Sequence, residues 1–312
     1  MSVALWADLV ARSRGLRTHL LTPAALHGLA ACPDLPTLRD GLARNGFAVG
    51  EETGPAALEA AVRRRAALDV ERLGRWLHHR ARMVAALLGE EDRRSVRAAV
   101  RGLVAGAPPA ARLSGLIPTP FLPEASLAAL AAAESLPAAA DVLRALDHPL
   151  AAALAHASPG GEVDLFTLEL ALDVAWARWA TAGARRGGRR LRIFVAELID
   201  DRNRVAAGLL ARTGAEVDPE RAFLPGGRAF DARAFQALAR EPAATPADET
   251  ELRRQRRHAL AIEARLAPLG PAVVLGWLLD LRTQVETLQR LIWGLSLGAP
   301  QAARSARIPE GV

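Results

Sequence analysis

Three pairs of polar residues, each three positions apart, are the first candidates for chemistry in this chain: Asp92 with Ser95, Asp200 with Asn203, and Gln284 with Thr287. On a helix that spacing sets two polar side chains on one side of a turn. An acid precedes each pair at a nearly constant distance, Glu59 by 33 residues, Glu169 by 31 and Glu251 by 33. A glycine follows 14 residues after the Asp or Gln, at Gly106, Gly214 and Gly298. That distance is about four helical turns, and a glycine there ends a helix. The pattern predicts three helices of about four turns, each polar at its start and stopped by glycine. Each acid then lies on a long partner helix, where Glu59 can pair with Arg97 or Arg101. The same pattern also reads as a packing device with no ligand role.

Other residues capable of chemistry lack the company that chemistry needs. His78 and His79 are adjacent on a helical stretch, so they cannot both face one metal. Ser13, Ser95, Ser114 and Ser296 have no paired His/Asp motif. A phosphate loop of the Gly-x-x-x-x-Gly-Lys-Ser/Thr kind is absent, and the chain has no lysine to complete one. Pro159-Gly160-Gly161 lacks the glycine spacing of a dinucleotide loop, and Gly226-Gly227 reads as a turn. No Cys/His cluster has metal-ligand spacing. The expectation is a protein that is not an enzyme, with no catalytic residue, cofactor or metal.

The elements that must position these residues are helices. Of 312 residues, 51% are hydrophobic and only 4% aromatic, and Ala and Leu dominate. Such a mixture packs helices through small side chains and is a poor sheet former. Apolar residues recur at helical spacing over Ala56–Leu88, where Leu58, Ala61, Val62, Leu68, Leu73, Trp76 and Leu77 share a face. Leu165–Ala182 and Glu251–Leu266 behave alike. Leu191–Leu198 has strand-forming residues, yet Leu191, Phe194, Val195 and Leu198 share a helical face, so it reads as helix. Trp76, Trp176, Trp179, Trp277 and Trp293 read as core. Breakers separate these segments at Gly50 to Pro55, Gly106 to Pro109, Ser158 to Gly161, Gly187-Gly188, Pro225 to Gly227 and Pro242 to Pro246.

The opening of each copy repeats too. Ala11-Arg12-Ser13-Arg14-Gly15-Leu16 matches Ala111-Arg112-Leu113-Ser114-Gly115-Leu116. Leu26, Leu29, Ala30, Leu35, Pro36 and Leu42 then match Leu127, Leu130, Ala131, Leu136, Pro137 and Leu143. Phe235, Leu238 and Ala239 form a fainter third copy after Phe230-Asp231. Helix-start signals precede them at Thr22-Pro23, Pro123-Glu124 and Asp231. The repeats divide the chain into three helical domains, residues 1–107, 108–217 and 218–312.

The net charge is +6, with 40 basic residues, all arginine, against 34 acids. The arginine runs 63–65, 253–254 and 256–257 sit where helices have wet faces, and their stems cover apolar surface. The single cysteine, Cys32, forms no internal disulfide and fits a reducing, cytoplasmic compartment. The first residues lack the apolar core of a signal peptide. No stretch reaches the ~18 apolar residues of a membrane span. The chain is therefore expected to reach a membrane only through another protein.

The order of these signals resembles the C/d-type subunit family of V-type (A/V-type) ATPases. Ala-Arg-Ser-Arg-Gly-Leu-Arg-Thr-His-Leu-Leu-Thr-Pro at 11–23, followed by Pro33-Asp34-Leu35 and Asn45-Gly46-Phe47, is similar to that family's opening. Leu168-Glu169-Leu170-Ala171-Leu172-Asp173 with Trp176, Ile199-Asp200-Asp201-Arg202-Asn203, and Phe223-Leu224-Pro225-Gly226-Gly227 resemble its internal motifs. Gly276-Trp277-Leu278 through Glu286, Leu288, Gln289, Arg290, Leu291 and Gly294 resembles its close. Arg204, Trp176 and Thr287 depart from the family's usual Leu, aromatic Tyr/Phe and Asn. The resemblance implies an all-α protein of three similar helical domains in a pseudo-threefold funnel. It implies a non-catalytic central-stalk rotor subunit that joins axle subunits of the D/F type to the membrane proteolipid ring. Torque passes through it and couples ion transport to ATP synthesis or hydrolysis. It would be a peripheral subunit on the cytoplasmic face of the plasma membrane, with no nucleic-acid or small-molecule partner. A basic helical-repeat protein binding nucleic acid, and an unrelated helical scaffold, are the competing readings. The first would place arginine on one stripe, whereas here arginines are dispersed among acids.

Overall fold

The computed structural model describes residues 6–77, 80, 85–113, 116–156, 164–213, 219–241, 248–306 and 308. Among them every regular element is an α-helix. In chain order they are α1 (Ala7–Arg17), α2 (Pro23–Ala30), α3 (Leu35–Arg44), α4 (Pro55–Leu77) and α5 (Ala85–Val104). There follow α6 (Pro109–Leu113), α7 (Glu124–Ala132), α8 (Leu136–Arg144), α9 (Ala151–His156), α10 (Leu165–Arg186) and α11 (Arg189–Thr213). The last are α12 (Pro219–Ala222), α13 (Ala232–Ala239), α14 (Glu249–Leu266), α15 (Pro271–Ser296) and α16 (Gln301–Ser305).

Local chemistry explains where the short helices begin. Thr22 accepts a hydrogen bond from Ala25 N, and Asp231 accepts one from Ala234 N, so both act as N-caps. Asp34 and Ser135 cap α3 and α8 the same way, each followed by a Leu-Pro dipeptide that fits the first turn. Pro123 precedes α7 without a side-chain cap bond, and Glu124 supplies the early acid. Both α3 and α8 end on a left-handed residue, Gly46 with φ 80° and Asp147 with φ 50°. Phe47 N then returns to Leu42 O, and His148 N to Leu143 O, closing the same helix-ending turn.

Residues 2–77, 113–120 and 260–312 form one compact unit. Here α15 packs against α4 and α1, and α2 and α3 lie on the same helix. Its core joins Leu9 and Val10 of α1, Leu58, Leu73 and Leu77 of α4, and Val274, Leu275, Trp277, Leu288 and Ile292 of α15. Each such side chain contributes roughly 1.5–3 kcal/mol on leaving water.

Residues 78–112 and 121–259 form the other compact unit. There α10 packs on α5, α7 and α8 also lie on α5, and α11 packs on α10 and α13. Trp176, Phe194, Leu168, Leu172 and Val96 are fully buried. Leu191–Leu198 lies inside α11, where Leu191, Phe194 and Val195 face the core.

Within the helical stretch read over Ala56–Leu88, α4 runs to Leu77 and α5 from Ala85, and residues 78–79 and 81–84 lie outside the described residues. One expectation changes. The polar pairs do not open four-turn helices, because α5, α11 and α15 run for 20, 25 and 26 residues. The pairs lie inside these helices and are buried, away from the helix starts. His78, His79, Ser114, the Pro159-Gly160-Gly161 segment, Gly214 and residues 242–246 lie outside the described residues.

Candidate functional site

The three acids that precede the polar pairs meet different fates. Glu59, on α4, is buried and accepts from Gln289 Nε2 at 2.9 Å and Trp293 Nε1 at 2.8 Å, both on α15. Arg63, one turn on, donates to it as well at 2.6 and 2.9 Å. Glu169, on α10, is held by Arg97 and Arg101 of α5, with Arg101 Nη2 at 2.8 Å. Gln289 and Trp293 stand 5 and 9 residues after Gln284, and Arg97 and Arg101 stand 5 and 9 after Asp92. The same two stations of the polar helix therefore clamp the same acid of a long helix. Burial pushes the Glu169 carboxyl up, but the Arg101 and Arg97 contacts outweigh it and hold it below the usual carboxylate range.

The third acid, Glu251, departs from this pattern. Its side chain is 43% exposed, and it accepts from Arg254 and Gln255 of its own helix. Those bonds hold its carboxyl down at about 2. A different residue of α14 reaches α11, since Arg256 bonds Glu197 and, at 2.5 Å, Asp201.

Glu59 thus has other partners than the expected Arg97 or Arg101. α5, which carries Asp92, clamps Glu169 of α10, and α15, which carries Gln284, clamps Glu59 of α4. Identical spacing carries no information about which acid meets which polar helix.

The polar pairs tie down loops. Asp200, 2% exposed, accepts from the amides of Arg228, Ala229 and Phe230 at 3.0–3.2 Å. A Cβ on Gly227 would lie 2.1 Å from Asp200 Oδ1, so only glycine lets this loop wrap the carboxylate. Asn203 exchanges two bonds with Leu224, its Nδ2 donating to the carbonyl and its Oδ1 accepting the amide, both at 2.9 Å. A buried side chain here completes the backbone pairing that the irregular loop lacks. This loop leads into α13. In the other unit Gln284 Oε1 accepts from Leu21 N at 2.5 Å, fixing the loop that leads into α2. Thr287 is buried, donates to Thr283 O within its helix, and accepts from Arg290. Asp92, fully buried, meets His148 Nε2 at 3.4 Å. His148 Nδ1 accepts from Leu150 N, so the ring proton sits on Nε2 and points at Asp92. Ser95 is buried with its hydroxyl unpartnered among the described residues.

The stop glycines behave as the spacing predicts where they are described. Gly106 has φ 69° and Gly298 φ 73°. Ala107 N returns to Gly102 O and Ala299 N to Gly294 O, the closing bond of a left-handed helix cap. These caps lead into a feature not read from the sequence. Arg112 and Arg304 each follow the stop glycine by six residues. Arg112 Nη1 donates to Ala133 O at 2.6 Å, and Arg304 Nη2 to Cys32 O at 3.1 Å. Each arginine passes a helical glycine, Gly102 or Gly294, with its Cγ 2.6 or 3.4 Å from where a Cβ would stand. The signal was present as Gly-Leu-x-x-Gly-Ala-Pro-x-Ala-Ala-Arg, which occurs at 102–112 and again at 294–304. The match of 11–16 to 111–116 pairs Arg112 with Arg12, and this longer match pairs it with Arg304.

A buried ionic network crosses α5, α10 and α11. Arg93, 1% exposed, bonds Glu90 twice and reaches Asp173 at 2.5 Å. Arg94 and Arg202 also donate to Glu90. Burial alone raises the Glu90 carboxyl, yet Arg202, Arg93 and Arg94 outweigh it and hold it far below the carboxylate range. Asp201 goes the other way, raised by burial despite Arg256. Trp176 and Trp277 are core as expected, whereas Trp76 and Trp293 are 40% and 41% exposed. Trp76 carries the Arg12 guanidinium 3.7 Å above its ring, and Trp293 spends its indole proton on Glu59.

Among the described residues no group of three or more His, Cys, Asp or Glu is arranged to hold a metal ion. No helix there is long and apolar enough to cross a membrane. The geometry described above holds helices and loops together. Residues 9–305 match the family model described as ATP synthase (C/AC39) subunit. A comparison with curated proteins found no match. The match spans nearly the whole chain, which therefore belongs to the ATP synthase (C/AC39) subunit family.

Proposed function

We propose, from the membership of this chain in the ATP synthase (C/AC39) subunit family, that it is the non-catalytic rotor subunit of the central stalk of a V-type ATPase. It joins axle subunits of the D/F type to the membrane proteolipid ring and passes torque between them, so that ion transport is coupled to ATP synthesis or hydrolysis. The observation that carries this reading is the family match over residues 9–305. The polar constellations support it, because their partners are loops and neighbouring helices, and a torque-bearing part needs stiffness more than a substrate pocket.

In this reading the repeats 1–107, 108–217 and 218–312 make three similar domains of a pseudo-threefold funnel. Glu59, Asp92, Ser95, Gly106, Glu169, Asp200, Asn203, Gly214, Glu251, Gln284, Thr287 and Gly298 are its repeated joints. The protein works on the cytoplasmic face of the plasma membrane and is held there by the ring.

Two measurements test this. The purified chain should be retained by isolated axle subunits and by detergent-extracted proteolipid rings. A chain that ignored both and bound duplex DNA would overturn the reading. Deleting the gene should leave a head that hydrolyses ATP but no longer drives ions, and normal pumping in the deletion would contradict it.

A further inference from the structure

Between Asp173 and Glu197 the chain has no acid and six arginines, Arg178, Arg185, Arg186, Arg189, Arg190 and Arg192. They surround the Gly187-Gly188 turn that joins α10 to α11. Arg178, Arg185, Arg186, Arg189 and Arg192 are exposed. Among the described residues none of these five side chains has a hydrogen-bond or ion-pair partner. The other arginine runs differ. Arg63 bonds Glu59, Arg65 faces Asp69, Arg254 bonds Glu251, and Arg256 bonds Glu197 and Asp201. Those charges are answered at home. The charge of the five exposed arginines at this turn is not.

The turn also breaks a local rule. The first turn of α11 carries no acid and opens on Arg189 and Arg190, with Arg192 close behind. The positive end of the helix dipole favours acids there and disfavours cations. Arg189 and Arg192 have no partner among the described residues to offset that conflict, which marks a place where something other than folding set the sequence.

The chemistry of the turn also narrows what answers the charge. Its arginines project from the ends of both helices and from consecutive positions, so they fan around the tip and form no single stripe. None of the large exposed apolar side chains falls between 174 and 196. A protein interface draws its energy from buried aromatic or aliphatic anchors, and single-stranded nucleic acid stacks on exposed aromatics. A fluid anionic bilayer surface needs neither register nor anchor, only clustered charge, and guanidinium forks match phosphate oxygens.

We propose that the α10–α11 tip is a direct contact for the anionic phospholipid headgroups of a membrane, adding a lipid contact to attachment through the ring. It rests on the peripheral-membrane reading above for its setting. The contact is electrostatic and superficial: the arginines meet headgroup phosphates, and no side chain enters the hydrocarbon.

The test is co-sedimentation of the full chain with vesicles. One set is phosphatidylcholine alone and the other carries phosphatidylglycerol in addition. The chain should bind the anionic vesicles and leave the neutral ones, and raised salt should release it. The variant R185S/R186S/R189S/R192S should bind roughly 1,000-fold more weakly, from about 1 kcal/mol for each arginine removed, with helix content and melting temperature retained as the check on folding. A control that removes four exposed arginines elsewhere, R64S/R233S/R240S/R265S, should bind like the parent. Equal loss in the control would make net charge the cause and overturn the proposal. So would equal binding to both vesicle types, full binding by the tip variant, or release by inorganic phosphate at unchanged ionic strength, which would mean a free-phosphate site. Because the assay uses the isolated chain, its failure leaves the axle and ring associations standing, and failure of those leaves vesicle binding to be read on its own.

Discussion

The helices α5 and α15 carry the same joint in two different materials. In α5 the acid of the long partner helix is held by two arginines, Arg97 and Arg101. In α15 the corresponding stations hold Gln289 and Trp293, two neutral donors on a more deeply buried acid. The difference continues along the helices. Arg93 stands one residue after Asp92, and the residue after Gln284 is Val285, buried and aliphatic. One unit closes its central helix pair with ions and the other with apolar packing and neutral hydrogen bonds. What the two share is an acceptor on the long helix and two donors on the polar helix. The lesson is that the positions of donor and acceptor define the joint, while the charge on the donors varies freely.

The largest effect should come from breaking the ionic version at its centre. Arg93→Met, which keeps the stem and removes the charge, leaves Glu90 and Asp173 short of a buried cation. Removing one partner of a buried ion pair costs about 3–5 kcal/mol, which urea unfolding would measure. A loss below about 1 kcal/mol would mean that Arg94 and Arg202 suffice for Glu90, and the network would be redundant instead of central.

The shared logic of the joint predicts an order that formal charge alone would reverse. Glu59→Ala removes a buried acceptor shared by three donors, the half-buried Gln289 amide and Arg63 and the more exposed Trp293 indole, a loss of roughly 2–3 kcal/mol. Glu169→Ala frees Arg97 and Arg101, whose side chains are 25% and 58% exposed and so rehydrate. That change should cost about 1 kcal/mol, and 1 M salt should erase part of it. Equal losses in the two variants, by urea unfolding of each, would show that charge on the donors matters after all.

Much of this was legible in the sequence. The helical class follows from Ala/Leu periodicity, the caps from Thr22 and Asp231, and two stop glycines from their 14-residue spacing, whereas the caps at Asp34 and Ser135 were not read. The joint itself was half legible. Glu59, Glu169 and Glu251 stood out by spacing, and Arg97 and Arg101 were recognised as donors, but for the wrong acid. A periodic sequence gives the contacts of every copy at once and leaves their pairing to the three-dimensional path, which here returns α15 to α4. Gln289 and Trp293 were invisible because neither resembles arginine, and hydrogen-bond donation is not a sequence similarity. Glu251 shows the converse, a residue in register whose clamp is missing because Val205 and Leu209 occupy the two stations on α11.

The last predictions test whether α5 and α15 also differ in how closely neighbouring side chains approach them. Gly89 in α5 lies against the Trp179 ring, and a Cβ there would come within 2.2 Å of Cζ3. The ring is in turn braced edge-on by Phe121 and His148. It cannot step aside without disturbing both, so Gly89→Ala should destabilise by about 1–3 kcal/mol through overpacking. Gly276 in α15 has only ordinary contacts, Arg17 Nη2 at 3.6 Å and Leu260 Cβ at 3.9 Å. Alanine there gives up no space and removes backbone freedom from the unfolded chain. Gly276→Ala should therefore stabilise by roughly 0.5–1 kcal/mol. Opposite signs in thermal unfolding would establish that α5 is also the more tightly approached of the two polar helices, with glycine admitting an aromatic ring. The same sign in both would mean that the α5 surface yields where the rigid ring predicts it cannot, and the contrast between the two helices would then be one of charge alone.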